Sequence, residues 1–140
     1  MIKVRFKKLS PDAVIPTKAH PTDAGFDLVA VSRETKNDIV SYGFGLALEI
    51  PAGYVGLIFP RSSVYKKDLA LTNCVGVIDS GFRGEISAKF RIQFPNLWHY
   101  EIGDRIAQII IMPYPEIAFV EADELLSSDR GDGGYGSTGR

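Results

Sequence analysis

In Gly76-Val77-Ile78-Asp79-Ser80-Gly81-Phe82-Arg83-Gly84-Glu85, a carboxylate follows two aliphatic residues at a predicted hairpin turn. An apolar flank raises the proton affinity of such a group and suits it to work as a general base. The plainer reading is that Asp79 hydrogen-bonds its own turn. Pro60-Arg61-Ser62-Ser63 places a guanidinium and two hydroxyls just after a predicted strand, which fits either anionic oxygens or the cap of a short helix. In Ala24-Gly25-Phe26-Asp27-Leu28, Asp27 is either a strand-end residue or a metal-associated carboxylate.

The last eleven residues, RGDGGYGSTGR from Arg130 to Arg140, include five glycines. Glycine loses the most backbone freedom on ordering, so such a segment is a poor choice for a core. One reading is a disordered terminus. A Walker-type phosphate loop is excluded, because no Lys precedes the Ser/Thr and no helix can follow. The third reading is a lid that orders on a ligand. Glycine N–H groups then converge on phosphate oxygens, Arg130, Ser137 and Thr138 add donors, and Tyr135 stacks on a flat base.

Strands must position these groups. Ile2, Val4 and Phe6 alternate with Lys3, Arg5 and Lys7, and residues 85–94 alternate for ten positions, so each predicts a strand with one buried face. Leu46–Ile50 and Tyr54–Phe59 flank Pro51-Ala52-Gly53, which predicts a hairpin. Residues 106–112 are apolar on both faces except for Gln108, which predicts a fully buried strand. Ser62–Asp68 and Ala122–Leu126 are each at best a short helical turn. Many short strands with Gly and Pro turns predict an all-β sandwich, jelly roll or barrel.

The 140 residues make one domain, 45% hydrophobic and 24% charged. A net charge of −1 supports neither a nucleic-acid footprint nor a polybasic membrane anchor. The single cysteine, Cys74, excludes an internal disulfide and a cysteine zinc site. With no signal-like or membrane-spanning apolar run, a cytoplasmic protein is expected. His20 and His99 lack metal-ligand spacing, and Trp98 and Tyr100 look like core or interface aromatics.

Taken together and in order, AGFDLVA (Ala24–Ala30), PRSS (Pro60–Ser63), GVIDSGFRGEI (Gly76–Ile86), GDRIAQIII (Gly103–Ile111) and RGDGGYGSTG (Arg130–Gly139) resemble the five motifs of the trimeric dUTPases. The resemblance spans nearly the whole chain. It implies a distorted jelly roll over residues 1–127 and a homotrimer. Residues 128–140 would form an exchanged arm that closes an active site between subunits. It also implies hydrolysis of dUTP to dUMP and pyrophosphate with Mg²⁺, which limits uracil in DNA and supplies dUMP.

By position, Asp79 resembles the family's general base. Asn73, Gly76, Val77, Ile78 and Ser87 resemble the uracil slot, with Asn73 also near the catalytic water. Arg61, Ser62, Ser63 and Gln108 resemble its phosphate contacts, with Arg130, Ser137 and Thr138 added from the arm. Tyr135, followed by Gly136, takes the place of a Phe that stacks on uracil, and Asp27 that of a carboxylate reaching Mg²⁺ through water. Phe82 stands where a Tyr is usual, keeping the ring against the deoxyribose without its hydroxyl. Ser63 replaces a frequent Gly, and Ser63–Asp68 departs from the family's small, apolar continuation. A dCTP deaminase or a regulatory nucleotide-binding protein on the same scaffold are the alternative readings.

Overall fold

Asp27, Arg61, Asp79 and Gln108 lie in or directly after strands of one four-stranded sheet, whose longest member is the apolar run near the C-terminus. The computed structural model of the chain describes residues 1–94 and 98–134. Its strands in chain order are β1 (Arg5–Lys8), β2 (Phe26–Val29), β3 (Ser32–Lys36), β4 (Ile39–Gly43), β5 (Leu46–Glu49) and β6 (Tyr54–Pro60). After a 3₁₀ turn (Ser62–Lys66) come β7 (Leu69–Leu71), β8 (Gly76–Ile78), β9 (Ser87–Ile92) and β10 (Arg105–Pro113).

All pairings between these strands are antiparallel, in the orders β2-β10-β6-β8 and β3-β4-β9-β7, with β1-β5 as a separate ribbon. The architecture is all-β and resembles a jelly roll. No described helix is long and apolar enough to cross a membrane.

Alternation works as expected in β9, where Ala88 and Phe90 are buried and Lys89 and Arg91 exposed. Phe90, Tyr42 and Tyr100 pack edge-on or tilted with ring centroids 5.7–6.3 Å apart. The Tyr42 hydroxyl is buried and donates to the Tyr100 carbonyl at 2.8 Å. Leu28, Ile58, Ile106 and Ile109 complete the core from the other sheet. Asn37 takes the left-handed turn between β3 and β4, a conformation its short polar side chain tolerates.

Four expectations need correction. The predicted buried face of β1 lies open, with Ile2 and Phe6 exposed on an apolar groove of about 370 Å³ that Phe26 and Ile111 also line. Pro51-Ala52-Gly53 does form a turn, with Gly53 at φ 79°. However, it joins β5 to β6 across two sheets, since β5 pairs with β1 and β6 with β10 and β8. The run 106–112 is buried at Ile106, Ala107 and Ile109 but exposed at Met112, because one face looks outward. Ala122–Leu126 forms no helix; it bends at Asp123 and Glu124, with Leu125 and Leu126 exposed.

Candidate active site

Gln108 lies opposite Asp27 on one side of β10 and opposite Phe59 on the other, so β10 is the shared wall of the first, second and fourth motifs. Their side chains meet in a polar cleft of about 320 Å³ lined by Gly25, Asp27, Arg61, Ser62 and Gln108, with Asp23 at its edge. Asp27 is in the interior of β2 rather than at its end. Its carboxylate is only 13% exposed, accepts from Arg61 Nε at 2.9 Å through Oδ1, and from Arg105 Nη1 at 3.1 Å through Oδ2. Because Asp27 grips Arg61 by Nε, the two terminal nitrogens of the guanidinium, unpaired among the described residues, can serve as a fork for oxyanions.

The Ser62 hydroxyl is not used as a helix cap. The 3₁₀ turn is capped by Arg61, without a side-chain hydrogen bond. The preceding carbonyl, Pro60 O, accepts from Gln108 Nε2 at 3.0 Å. That accounts for an amide in an otherwise apolar strand: it ties the start of the Arg61–Ser63 segment to the sheet. Ser63 is half-buried beside this segment.

Arg105 was not singled out by sequence reasoning. In a regular strand, residues 105 and 108 face opposite ways, since three is an odd step. A bulge between Arg105 and Ala107 adds one residue to the count and turns Arg105 to the face of Asp27 and Gln108. No periodicity in the sequence carries that shift. Burial pushes the Tyr100 hydroxyl above the usual tyrosine range, partly opposed by the nearby Arg61 charge.

Asp79 is not part of this cleft. Ile78 pairs with Gly56, so Asp79 stands beside Val55, and Arg61 lies six residues further along β6. At roughly 3.3 Å per residue, about 20 Å of backbone separate the position of Asp79 from that of Arg61 in the same chain. Asp79 is exposed, and among the described residues its carboxylate accepts no hydrogen bond, so it does not serve its own turn by side chain. The turn closes through backbone, Phe82 N donating to Asp79 O at 3.1 Å.

Val77 and Phe82 are exposed beside Asp79, while Gly76 is buried and Ile78 half-buried. Asn73, though exposed, is anchored: Lys89 N donates to its Oδ1 at 3.1 Å. β7 and β9 form a ladder, and between them the chain is carried out to β6, where β8 pairs. Ser87 itself opens β9 opposite Gly43.

Arg130 is exposed and its Nε donates to Gly133 O at 2.9 Å. Tyr135, Gly136, Ser137 and Thr138 lie outside the described residues. For Mg²⁺, no group of three or more His, Cys, Asp or Glu among the described residues forms a cage. Two carboxylates, Asp23 and Asp27, line the cleft that holds Arg61. Such a set fits an ion held mainly by a polyphosphate and contacted by protein through its water shell.

The dUTPase family model matches residues 12–139. The deoxyuridine 5'-triphosphate nucleotidohydrolase of Thermobifida fusca is 40% identical over 147 aligned positions, covering 99% of this chain and 79% of the relative. That of Gloeobacter violaceus is 37% identical, covering 99% and 97%. Among solved structures, the Staphylococcus bacteriophage 80alpha dUTPase bound to dUpNHpp superposes with a TM-score of 0.85, at 28% identity and full coverage of both chains. With five motifs in family order and three of them converging on one cleft, the chain belongs to the dUTPase family.

Proposed function

We propose that the chain hydrolyses dUTP to dUMP and pyrophosphate at sites shared between copies of itself. The observation that carries this is the division of the candidate residues along β6. A cleft with Arg61, Ser62 and Gln108 lies at one end, and an exposed Asp79, unpaired among the described residues, about 20 Å along the backbone at the other. A water activated by Asp79 cannot reach a phosphate bound in its own chain's cleft. A second copy brings the two halves together, as a homotrimer with threefold symmetry does three times over.

Exposed apolar surface supports that assembly. Ile117, Phe119, Val120, Leu125 and Leu126 stand in solvent on the segment leading to the tail, and the groove beside β1 is open. Exposed apolar surface of this kind marks a place for a partner.

In this reading, Arg61, the hydroxyl of Ser62, the backbone of Ser63 and Gln108 hold the triphosphate. Residues 128–140 close over it as an arm, with Arg130, Ser137 and Thr138 adding donors to phosphate. Tyr135, next to Gly136, stacks on uracil. Asn73, Gly76, Val77, Ile78 and Ser87 shape the base slot, and the Phe82 ring rejects a ribose 2′-hydroxyl by shape. Asp79 accepts a proton from the water that attacks the α-phosphorus. Donors held in advance around the phosphate oxygens then stabilise the charge that builds there. Mg²⁺, with Asp27 accepting from its water shell, would neutralise part of that charge.

Product analysis tests this: dUTP, dTTP, dCTP and UTP are each supplied with and without Mg²⁺. We expect dUMP and pyrophosphate from dUTP alone, with turnover requiring the ion. Ammonia from dCTP would instead favour the deaminase reading, and no turnover of dUTP would sink the proposal.

A further inference from the structure

The Gln108 amide is tied to the backbone through its nitrogen. Nε2 donates to Pro60 O at 3.0 Å, and the rest of the side chain lies flat across Gly25. A Cβ built on Gly25 would stand 3.1 Å from Gln108 Cδ, 3.3 Å from its Cβ and nearer still to Oε1. Real Cβ atoms essentially never come as close as this one would to Oε1, so a side chain at position 25 would make the Gln108 amide move from its present place.

The backbone is not the reason for glycine here. Gly25 is not among the residues with positive φ, unlike Gly45, Gly53, Gly103 and Gly131, so alanine is free to adopt its conformation. The requirement is space, and Gln108 fills that space. Gly25 is spent on admitting one amide, and that amide ties down Pro60, the residue before Arg61.

We infer that Gly25 is a positioning residue for phosphate binding. By having no side chain it lets Gln108 lie down and brace Pro60-Arg61-Ser62 through the Pro60 carbonyl, while Asp27, its register partner on β2, braces Arg61 through Nε. The inference rests on the reading of this cleft as the triphosphate site. Gly25 touches no substrate in it; its effect passes through Gln108.

The test is a double-mutant cycle in the full chain: Gly25→Ala, Gln108→Ala and the pair, with dUpNHpp as the binding probe and dUTP turnover alongside. Gly25→Ala is expected to weaken dUpNHpp binding and lower kcat/KM by roughly 10- to 100-fold, the scale of a displacement of about 1 Å. The double variant should bind as Gln108→Ala alone does, because once the amide is gone the methyl displaces nothing. Should Gly25→Ala fail to fold, the double variant carries the test, and it is expected to fold and to match Gln108→Ala.

Wild-type binding by Gly25→Ala would overturn the inference. So would losses that add in the double variant, since they would mean that Gly25 acts independently of Gln108. An Arg61→Ala control separates the two levels: if it binds dUpNHpp normally, the phosphate reading of the cleft itself falls.

Discussion

Asp27→Asn should destabilise the chain even with no nucleotide and no metal present. The aspartate holds two guanidinium groups, Arg61 with 28% of its side chain exposed and Arg105 with 53%, from a carboxylate only 13% exposed. The Arg61 contact is partly buried and charge-assisted, a class that contributes about 1.5–3 kcal/mol. The Arg105 contact is half in solvent, and screening leaves such a pair about 0.2–1 kcal/mol. Asparagine keeps the shape and one acceptor oxygen, which preserves a neutral hydrogen bond of about 1 kcal/mol, but its NH₂ must face a guanidinium that can only donate.

The net loss is therefore about 2 kcal/mol. For a chain of 140 residues, that lowers the melting temperature by roughly 6–10 °C. The assay is thermal unfolding in EDTA at a fixed protein concentration, since an oligomer's melting temperature depends on concentration. A carboxylate whose purpose was only to accept from a metal's water shell would leave melting in EDTA unchanged. A shift of less than about 2 °C would refute the argument that Asp27 anchors Arg61.

Two further predictions concern the reaction. Asp79→Asn should lower kcat by roughly 10²- to 10⁴-fold while dUpNHpp binds as before, because the residue lies apart from the phosphate cleft; wild-type turnover would remove it from the mechanism. A chain ending at Ser128 should stay folded and keep its oligomeric state by light scattering while losing most activity; unfolding, or undiminished turnover, would end the lid reading.

The cleft was partly legible in the sequence because its members carry unusual chemistry for their surroundings. Gln108 stands out as the lone amide in an apolar run, and Arg61 as a guanidinium just after a strand, and both line the cleft. Arg105 was not legible, because a bulge reverses the face that alternation assigns to it. Gly25 was visible as part of a motif, yet its role depends on where the Gln108 amide lies, which no local pattern encodes. Among the elements, β9 followed its period because one side packs on a core and the other meets water. The β3–β4 hairpin went unseen because β3, Ser-Arg-Glu-Thr-Lys, is exposed at every position and has no apolar rhythm to betray it. For β1 the rhythm was present but its predicted burial was not: Ile2 and Phe6 face an open groove, as a strand does whose apolar side awaits a neighbour.

That open face and the division along β6 bear on the same question. Sequence alternation records which face of a strand is covered in the working state, whether by the same chain or by another copy. Where the pattern says buried and one chain shows exposure, as at Ile2 and Phe6, the discrepancy itself points to assembly. The proposed chemistry points the same way: Asp79, unpaired among the described residues, and the braced Arg61 stand about 20 Å apart along the backbone of one copy. In the proposed assembly, closed rotational symmetry would cover the apolar face and join the two halves of the site in one step. Folding stability and catalytic competence would then rest on the same contacts between copies.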